Sequence, residues 1–351
     1  MRGKATFAVG LLLTITAGCV RVPPQRVALD RFDYGQAIAD SWKRQTLANI
    51  VRLRYGDAPT FLEVTSVINS YSTAGSVNAG AAIPESPLPN SMNLGASRSW
   101  SNSTTVTYQP LTGQKFTANL LRPVPPAAVF QMVSAGWPIP LILRTSLSSI
   151  NGLANSNRGQ RGDPDFDRVV EALGRIQRSR AISIRVEERK EGEAVAVVLR
   201  REAVPEQVLE DSRTVRTLLG LKEDSTEYSI TFGSIPRNDS EIAVETRSML
   251  ELMLELATGV EVPPSDLTEG RALPGMGSPG ETPPEPLLHI RCGETAPSDA
   301  FAAVPYRNLW FWIDDTDRAS KSRFTFLMIL FSLAEGGQTS AAPLVTISAG
   351  K

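Results

Sequence analysis

The sequence predicts an α+β fold of mixed helices and antiparallel hairpins, with one long β-hairpin rich in Gly, Ser and Asn. Three observations predict it. Segments with apolar residues every three to four positions interleave with segments that alternate apolar and polar residues. No regular strand–helix–strand rhythm joins them, which argues against a parallel α/β sheet. Between Ser76 and Tyr108 two successive arms share a period of two, with a Pro-rich stretch between them.

The elements follow in order. Asp33 is placed to cap a helix to about Arg54, its apolar residues Ile38, Trp42, Leu47, Ile50 and Val51 spread over more than one side. Gly56-Asp57-Ala58-Pro59 ends it, and Phe61–Tyr71 reads as a strand because it is rich in β-branched and aromatic residues. Helices are expected around Phe116–Leu121 and from Pro126 to Ser134, and a short apolar strand over Ile139–Thr145. Asp163-Pro164 starts a helix with Phe166, Val169, Val170, Leu173 and Ile176 on one face. Ala181–Glu187 and Ala194–Arg200 form a hairpin, Pro205 to Gly220 a helix, and Thr226–Phe232 a strand. Ser240 is expected to cap a helix carrying Ile242, Met249, Leu250, Met253 and Leu256 on its apolar side. After it, 261–286 is dense in Pro and Gly and reads as a loop or linker. A strand Leu287–Arg291, a hairpin through Val304–Ile313 and an apolar helix from about Thr316 to Ala334 complete the chain. That last helix is too short to span a bilayer and is expected to be buried.

The hairpin of residues 61–108 admits two readings. From Ser76 to Ile83 the odd positions are apolar; after the turn, expected over Pro84–Asn93, the even positions Leu94, Ala96, Trp100, Val106 and Tyr108 are apolar, interrupted by Arg98, Asn102 and Thr104. Their neighbours are small and mostly hydroxylic. In water such a ribbon lays its apolar face on a core; in a bilayer it is a transmembrane hairpin, which closes into a barrel only as part of a ring of subunits. The prominence of Ala and the presence of Arg98 favour the first reading.

Residues 1–18 have the form of an export signal: Arg2 and Lys4, an apolar run from Phe7 to Leu13, then small residues. Ala17-Gly18-Cys19 resembles the lipobox of bacterial lipoproteins, with Thr16 where that motif usually carries Leu, Ile or Val. The resemblance implies that Cys19 is acylated, with a lipid such as palmitate, and that Val20 after it directs the protein to the outer membrane. Ordinary cleavage near Thr16-Ala17 is the alternative, and only then could Cys19 and Cys292 pair. Residues 19–32 read as a lipidated tether, 33–260 as the body with its hairpin, and 287–351 as C-terminal strands and a buried helix packing on that body.

Composition narrows the chemistry. The chain has 351 residues, 42% of them hydrophobic, and a formal net charge of -1, so it can fill a core and lacks the positive field of a nucleic-acid binder. His289 is the only histidine and is read as structural, which excludes any mechanism needing two. There is no HExxH, CxxC pair, Walker loop or G-x-S-x-G elbow, and no cofactor is implied. Asp163, Asp165 and Asp167 lack the rest of a calcium loop and are explained by helix capping. Asp314, Asp315 and Asp317 precede the last helix; capping explains them too, with a divalent ion as the alternative. Trp310, Phe311 and Trp312 are consecutive on a strand, so both tryptophans share one face, as core or as a binding surface.

Three segments, Asn49–Tyr55 with Phe61–Val64, Tyr108–Phe116, and Trp312–Asp315 with Phe326–Leu333, resemble an uncharacterised group of bacterial exported lipoproteins. That resemblance carries over no catalytic residue. The expectation is therefore an outer-membrane-anchored, periplasm-facing lipoprotein acting as a non-catalytic scaffold or binding module, held to the membrane by its N-terminal lipid. One alternative is a subunit of an oligomeric outer-membrane ring or pore that inserts the 76–108 hairpin. The other is a metal-assisted hydrolase using the late aspartates. A homo-oligomer or an envelope protein is the partner expected besides the membrane.

Overall fold

The computed structural model describes residues 24–81, 92–189, 192–202, 204–273 and 285–335. The expected signal peptide, Cys19, most of the Pro-rich turn and Gly336-Gly337-Gln338 lie outside them. In chain order the elements are α1 (Pro24–Arg54), β1 (Leu62–Ala81), β2 (Met92–Pro110), α2 (Gly113–Phe116), α3 (Pro126–Ser134), α4 (Ile139–Ser146), β3 (Leu147–Ile150), β4 (Leu153–Ala154), α5 (Pro164–Arg178), β5 (Ile182–Arg189) and β6 (Gly192–Leu199). They continue as α6 (Glu206–Leu219), β7 (Glu227–Phe232), β8 (Glu241–Thr246), α7 (Met249–Ala257), α8 (Pro264–Thr268), β9 (Arg291–Gly293), β10 (Ala300–Tyr306), β11 (Leu309–Asp314) and α9 (Arg318–Glu335). The α+β class holds. No helix among the described residues is long and apolar enough to cross a membrane.

The chain divides into two compact units, one holding 24–39 and 62–109 of the described residues and the other 40–61 and 110–335. The second unit is built on a six-stranded sheet, order β4-β3-β8-β7-β6-β5, and a three-stranded sheet, order β10-β11-β9. Helices α3, α4, α5 and α6 bring Phe130, Leu143, Leu173 and Leu219 onto Ile182, Val197, Leu199 and Ile242 of the large sheet. Each side chain is drawn from an amphipathic element whose apolar stripe has nowhere else to go, and burying one is worth about 1.5–3 kcal/mol. Arg175 of α5 clamps the buried carboxylate of Asp211 on α6 through Nε and Nη2, the shortest contact 2.7 Å. Helix α9 buries Phe324, Phe326, Leu327, Leu330 and Phe331, as its nearly uniform apolarity predicts.

Strands β7 and β8 are parallel neighbours joined by only residues 233–240, where a parallel crossover usually takes a dozen or more. The return path is held by backbone bonds from Ser229 N–H to the Ser240 carbonyl (3.0 Å) and from Lys222 N–H to the Asp239 carbonyl (2.8 Å).

Several expectations are corrected. Helix α1 begins at Pro24, not Asp33, so most of the presumed tether is helical. Proline tolerates a first helical position, and no further proline follows within the helix. The segment expected as a strand over Ile139–Thr145 is helix α4, entered at Pro138 with Pro140 in its first turn. Residues 241–246, expected to be helical, form β8 at the middle of the large sheet, flanked by β3 and β7. The helix that follows is capped by Ser248, whose hydroxyl accepts from Glu251 N–H while the Glu251 carboxylate accepts from Ser248 N–H. Its start signal was the Ser248-x-x-Glu251 capping box, and Ser240 mimicked it. Leu287–Arg291 is not a strand; β9 starts at Arg291, and His289 is exposed in the loop before it, its N–H donating to Ser320 Oγ. A short helix, α8, lies within the stretch read as loop.

Candidate functional site

Strands β1 and β2 form a two-stranded sheet of their own. At its foot Thr65 Oγ1 donates to the Thr107 carbonyl (3.2 Å), so these positions lie side by side in the pair. Twenty and nineteen residues at about 3.3 Å each make the two strands roughly 65 Å long. Among the described residues no third strand pairs with either of them. Among the described side chains, every residue from Ser103 to Pro110 is exposed, odd and even positions alike. The expectation that the apolar face rests on a core therefore fails at Val106 and Tyr108, which are 37% and 57% exposed.

The same unit contains the first part of α1, where the Tyr34 hydroxyl and Thr104 Oγ1 are 2.8 Å apart. Phe32, 71% exposed, and Ile38 also face solvent, as do Leu62 and Ile68 of β1. Half of the large apolar side chains exposed among the described residues belong to this small unit. Charge is nearly absent from the ribbon: Glu63 is the only charged residue of β1 and Arg98 the only one of β2. A ribbon meant to stay single in water usually guards its edges with lysine, proline or short strands.

A second site lies in the other unit. Strand pairing places Trp310 opposite Pro305 and Trp312 opposite Ala303 and Arg291, while Phe311 and Ile313 are fully buried behind them. Both tryptophans thus share the outward, half-buried face, and Phe311 fills the core. Trp312 lies over Gly293, where a Cβ would approach its ring to 3.1 Å, so only glycine fits there without a shift. Trp310, with Pro305, Ala303, Pro297, Ala48 and Arg44, lines an open groove of about 480 Å³.

Beside the groove's strands, the turn Arg307-Asn308 has both residues at positive φ. It holds Arg307 4.9 Å from the ring of Tyr55 and lets Tyr306 donate to Asp57. That hydrogen bond and the neighbouring Arg307 guanidinium hold the Asp57 carboxyl below its usual range. Burial, together with a 2.8 Å hydrogen bond to Asp266, pushes the Tyr55 phenol well above its ordinary value. These groups latch the end of α1 to the small sheet.

The late aspartates have local work. Asp314 accepts from the Thr316 hydroxyl (2.6 Å) and amide (2.9 Å), which keeps its carboxyl below the usual range, with Arg291 nearby. Asp315 pairs with Lys321 at 2.6 Å, and Asp317 accepts from Ser320 N–H in the first turn of α9. Among the described residues no group of three or more potential metal ligands is brought together. Asp163 caps α5 by accepting from Asp165 N–H, Asp165 pairs with Arg168, and Asp167 with Arg144. Cys292, half-buried on β9 opposite Phe311, is a free thiol whose pKa burial raises.

Sequence reasoning missed Phe32, Tyr34, Pro297 and Pro305. No local signal marks Tyr34, because its partner lies 70 residues away. No protein-family model, curated protein or solved structure matches the chain.

Proposed function

We propose that the chain is an outer-membrane lipoprotein, acylated at Cys19, whose ribbons pair edge to edge with those of identical copies to form the wall of a ring or pore. The observation that carries the proposal is the two-stranded sheet itself: long strands with no third strand beside them among the described residues, every residue from Ser103 to Pro110 exposed, and two charges over its whole length. An isolated two-stranded ribbon is marginally stable in water, and open edges invite pairing. Pairing with a copy on each side removes both edges at once, and closure of the ring leaves none. Each strand exceeds the roughly 9–11 residues that a membrane-spanning strand needs. The protein performs no bond chemistry in this reading; its product is an assembled channel or collar.

The test is purification from membranes with the native lipid anchor, followed by mass determination of the detergent-solubilised particle. A mass several times that of the 38.0 kDa chain is expected, with the ribbon protected from protease. A monomer with a protease-sensitive ribbon refutes the ring.

The groove at Trp310 favours a second role, as a scaffold that docks an envelope protein through an apolar segment. Tryptophan is enriched among residues that dominate binding energy. Trp310→Ala should then lower recovery of a crosslinked envelope partner without changing the assembly's mass.

A further inference from the structure

We infer that a cavity between the end of β8, the start of α7 and the loop from β4 to α5 is a binding site for a tetrahedral oxyanion, phosphate or sulfate, taken free or as the head group of a larger molecule. The site lies wholly within the second unit and is independent of the ring.

It begins with a buried charge. Arg247, between β8 and α7, is 2% exposed. Its guanidinium donates to the carbonyls of Arg144 (3.3 Å), Thr145 (3.2 Å) and Ser156. Carbonyl dipoles fix its orientation but do not balance its charge, and a buried charge is ordinarily paired. Burial lowers its pKa, against the pull of Glu255 and Glu251. Neither carboxylate forms an ion pair with it: Glu255 accepts from the Arg158 N–H (2.5 Å) and Glu251 from the Ser248 N–H (2.7 Å). A buried cation whose acidic neighbours are engaged elsewhere points to an anion.

The cavity beside it suits one. It measures about 160 Å³ and is lined by Ser148, Asn157, Arg158, Gln160, Arg247 and Glu251, all of them polar. At roughly 30 Å³ for each water-sized atom it holds about five, the number of heavy atoms in phosphate or sulfate. Drug-sized ligands take roughly 300–1,000 Å³. Among the described residues the side chains of Asn157, Arg158 and Gln160 make no hydrogen bond or ion pair, so their N–H groups are available. Guanidinium and amide donors are the groups that recognise oxyanions.

The loop holds these donors in place. Asn157 and Gln160 exchange two backbone hydrogen bonds (3.1 and 2.9 Å) around Arg158 and Gly159, whose φ angles are 49° and 82°. Such a turn favours Asn-Gly; an arginine at its first central position stores strain and keeps a guanidinium at the cavity. Buried Glu255 fixes the Arg158 N–H, and Asn155 Nδ2 ties the base of the loop to the Arg144 and Leu147 carbonyls (2.8 and 2.7 Å). Gly162 passes the Asn155 backbone so closely that a Cβ would lie 2.5 Å from it. Donors already ordered lose little entropy on binding. Glu251 is the one repulsive group in the lining, and it supplies a test of opposite sign.

The experiment uses the full-length protein in detergent, with chloride holding ionic strength constant and affinity read by titration calorimetry. Phosphate should bind saturably and raise the melting temperature of the body, as a ligand of the folded state does. Arg158→Gly should weaken phosphate binding about tenfold or more. It should leave unliganded stability nearly unchanged, because glycine takes a positive φ without steric cost. Glu251→Gln keeps a side chain that can complete the capping box, removes the negative charge, and should tighten phosphate binding about threefold. A merely structural pocket would not give opposite signs at these two positions. A soluble short-chain phosphatidylglycerol that competes with phosphate assigns the head-group source, and one that does not compete assigns the free anion. No saturable phosphate binding by the wild type, affinity unchanged by Arg158→Gly or weakened by Glu251→Gln, or acetate binding as tightly as phosphate overturns the site.

Discussion

Strands β2 and β6 carry the same signal and meet opposite fates. Both alternate large apolar with smaller or polar side chains. In β6, Val195, Val197 and Leu199 are 5%, 4% and 1% exposed beneath the helices of the large sheet. In β2, Val106 and Tyr108 are 37% and 57% exposed. Alternation states that a strand has two unlike faces. It does not state whether the chain's own core, a second copy or lipid covers the apolar one. The contrast is therefore between a strand whose apolar side chains are buried within the chain and one whose described apolar side chains are exposed.

The sharpest way to break this contrast is to put the same charge into both strands. Val197→Asp should unfold the body, because an unpaired carboxylate in a filled core costs on the order of 4 kcal/mol or more. Val106→Asp should leave the melting temperature of the body unchanged and reduce the large particle to smaller species. Thermal unfolding and particle mass on both variants decide it, and equal destabilisation would erase the distinction.

The latch at the end of α1 offers a smaller effect. Tyr55→Phe removes the hydroxyl that serves buried Asp266 and should cost about 1–2 kcal/mol. The sign of the pH dependence follows from the raised phenol. Folding favours neutral Tyr55, so its stabilisation is complete below the ordinary value of 10.0 and is lost progressively as pH rises above it. Chemical denaturation between pH 8 and about 11 should show wild-type stability falling more steeply than that of Tyr55→Phe. Identical slopes would mean that the phenol is not the titrating group.

Ser248→Ala should cost about 1 kcal/mol through loss of the cap of α7, read as a shift in denaturant midpoint. The smallest effect belongs to the ribbon unit: Tyr34→Phe removes one exposed hydrogen bond and should change stability by less than about 0.5 kcal/mol, with faster amide exchange confined to strands near Thr104. A global loss of protection would show that the ribbon is part of the body's cooperative unit after all.

Where structure is coded by neighbours a few residues apart, the chain was legible. Helix α3 matches its expected bounds, Asp163-Pro164 starts α5, and β5 with β6 and β10 with β11 pair as hairpins. The errors fall where a local pattern had two solutions. Ile139–Ser146 is as apolar as a strand, but the prolines at its start admit a helix and the buried site accepts one. Ile242, Ala243 and Val244 fit a helical stripe, yet their neighbours β3 and β7 offer backbone partners on both sides, and a central strand results. Of the candidate site residues, the shared face of Trp310 and Trp312 followed from alternation alone. The groove beside Trp310 did not, because Ala48 and Pro297 come from distant segments.

By itself the sequence determined which segments have two unlike faces, where α3 and α5 begin, and that the ribbon is nearly free of charge. Those are properties of residues one to four positions apart, and the backbone enforces them wherever the segment ends up. Only the tertiary structure decided which faces are covered, that β7 and β8 run parallel, and that Val197 is buried while Val106 is exposed. Burial depends on what remote parts of the chain bring to the same place, and no period in the sequence records that.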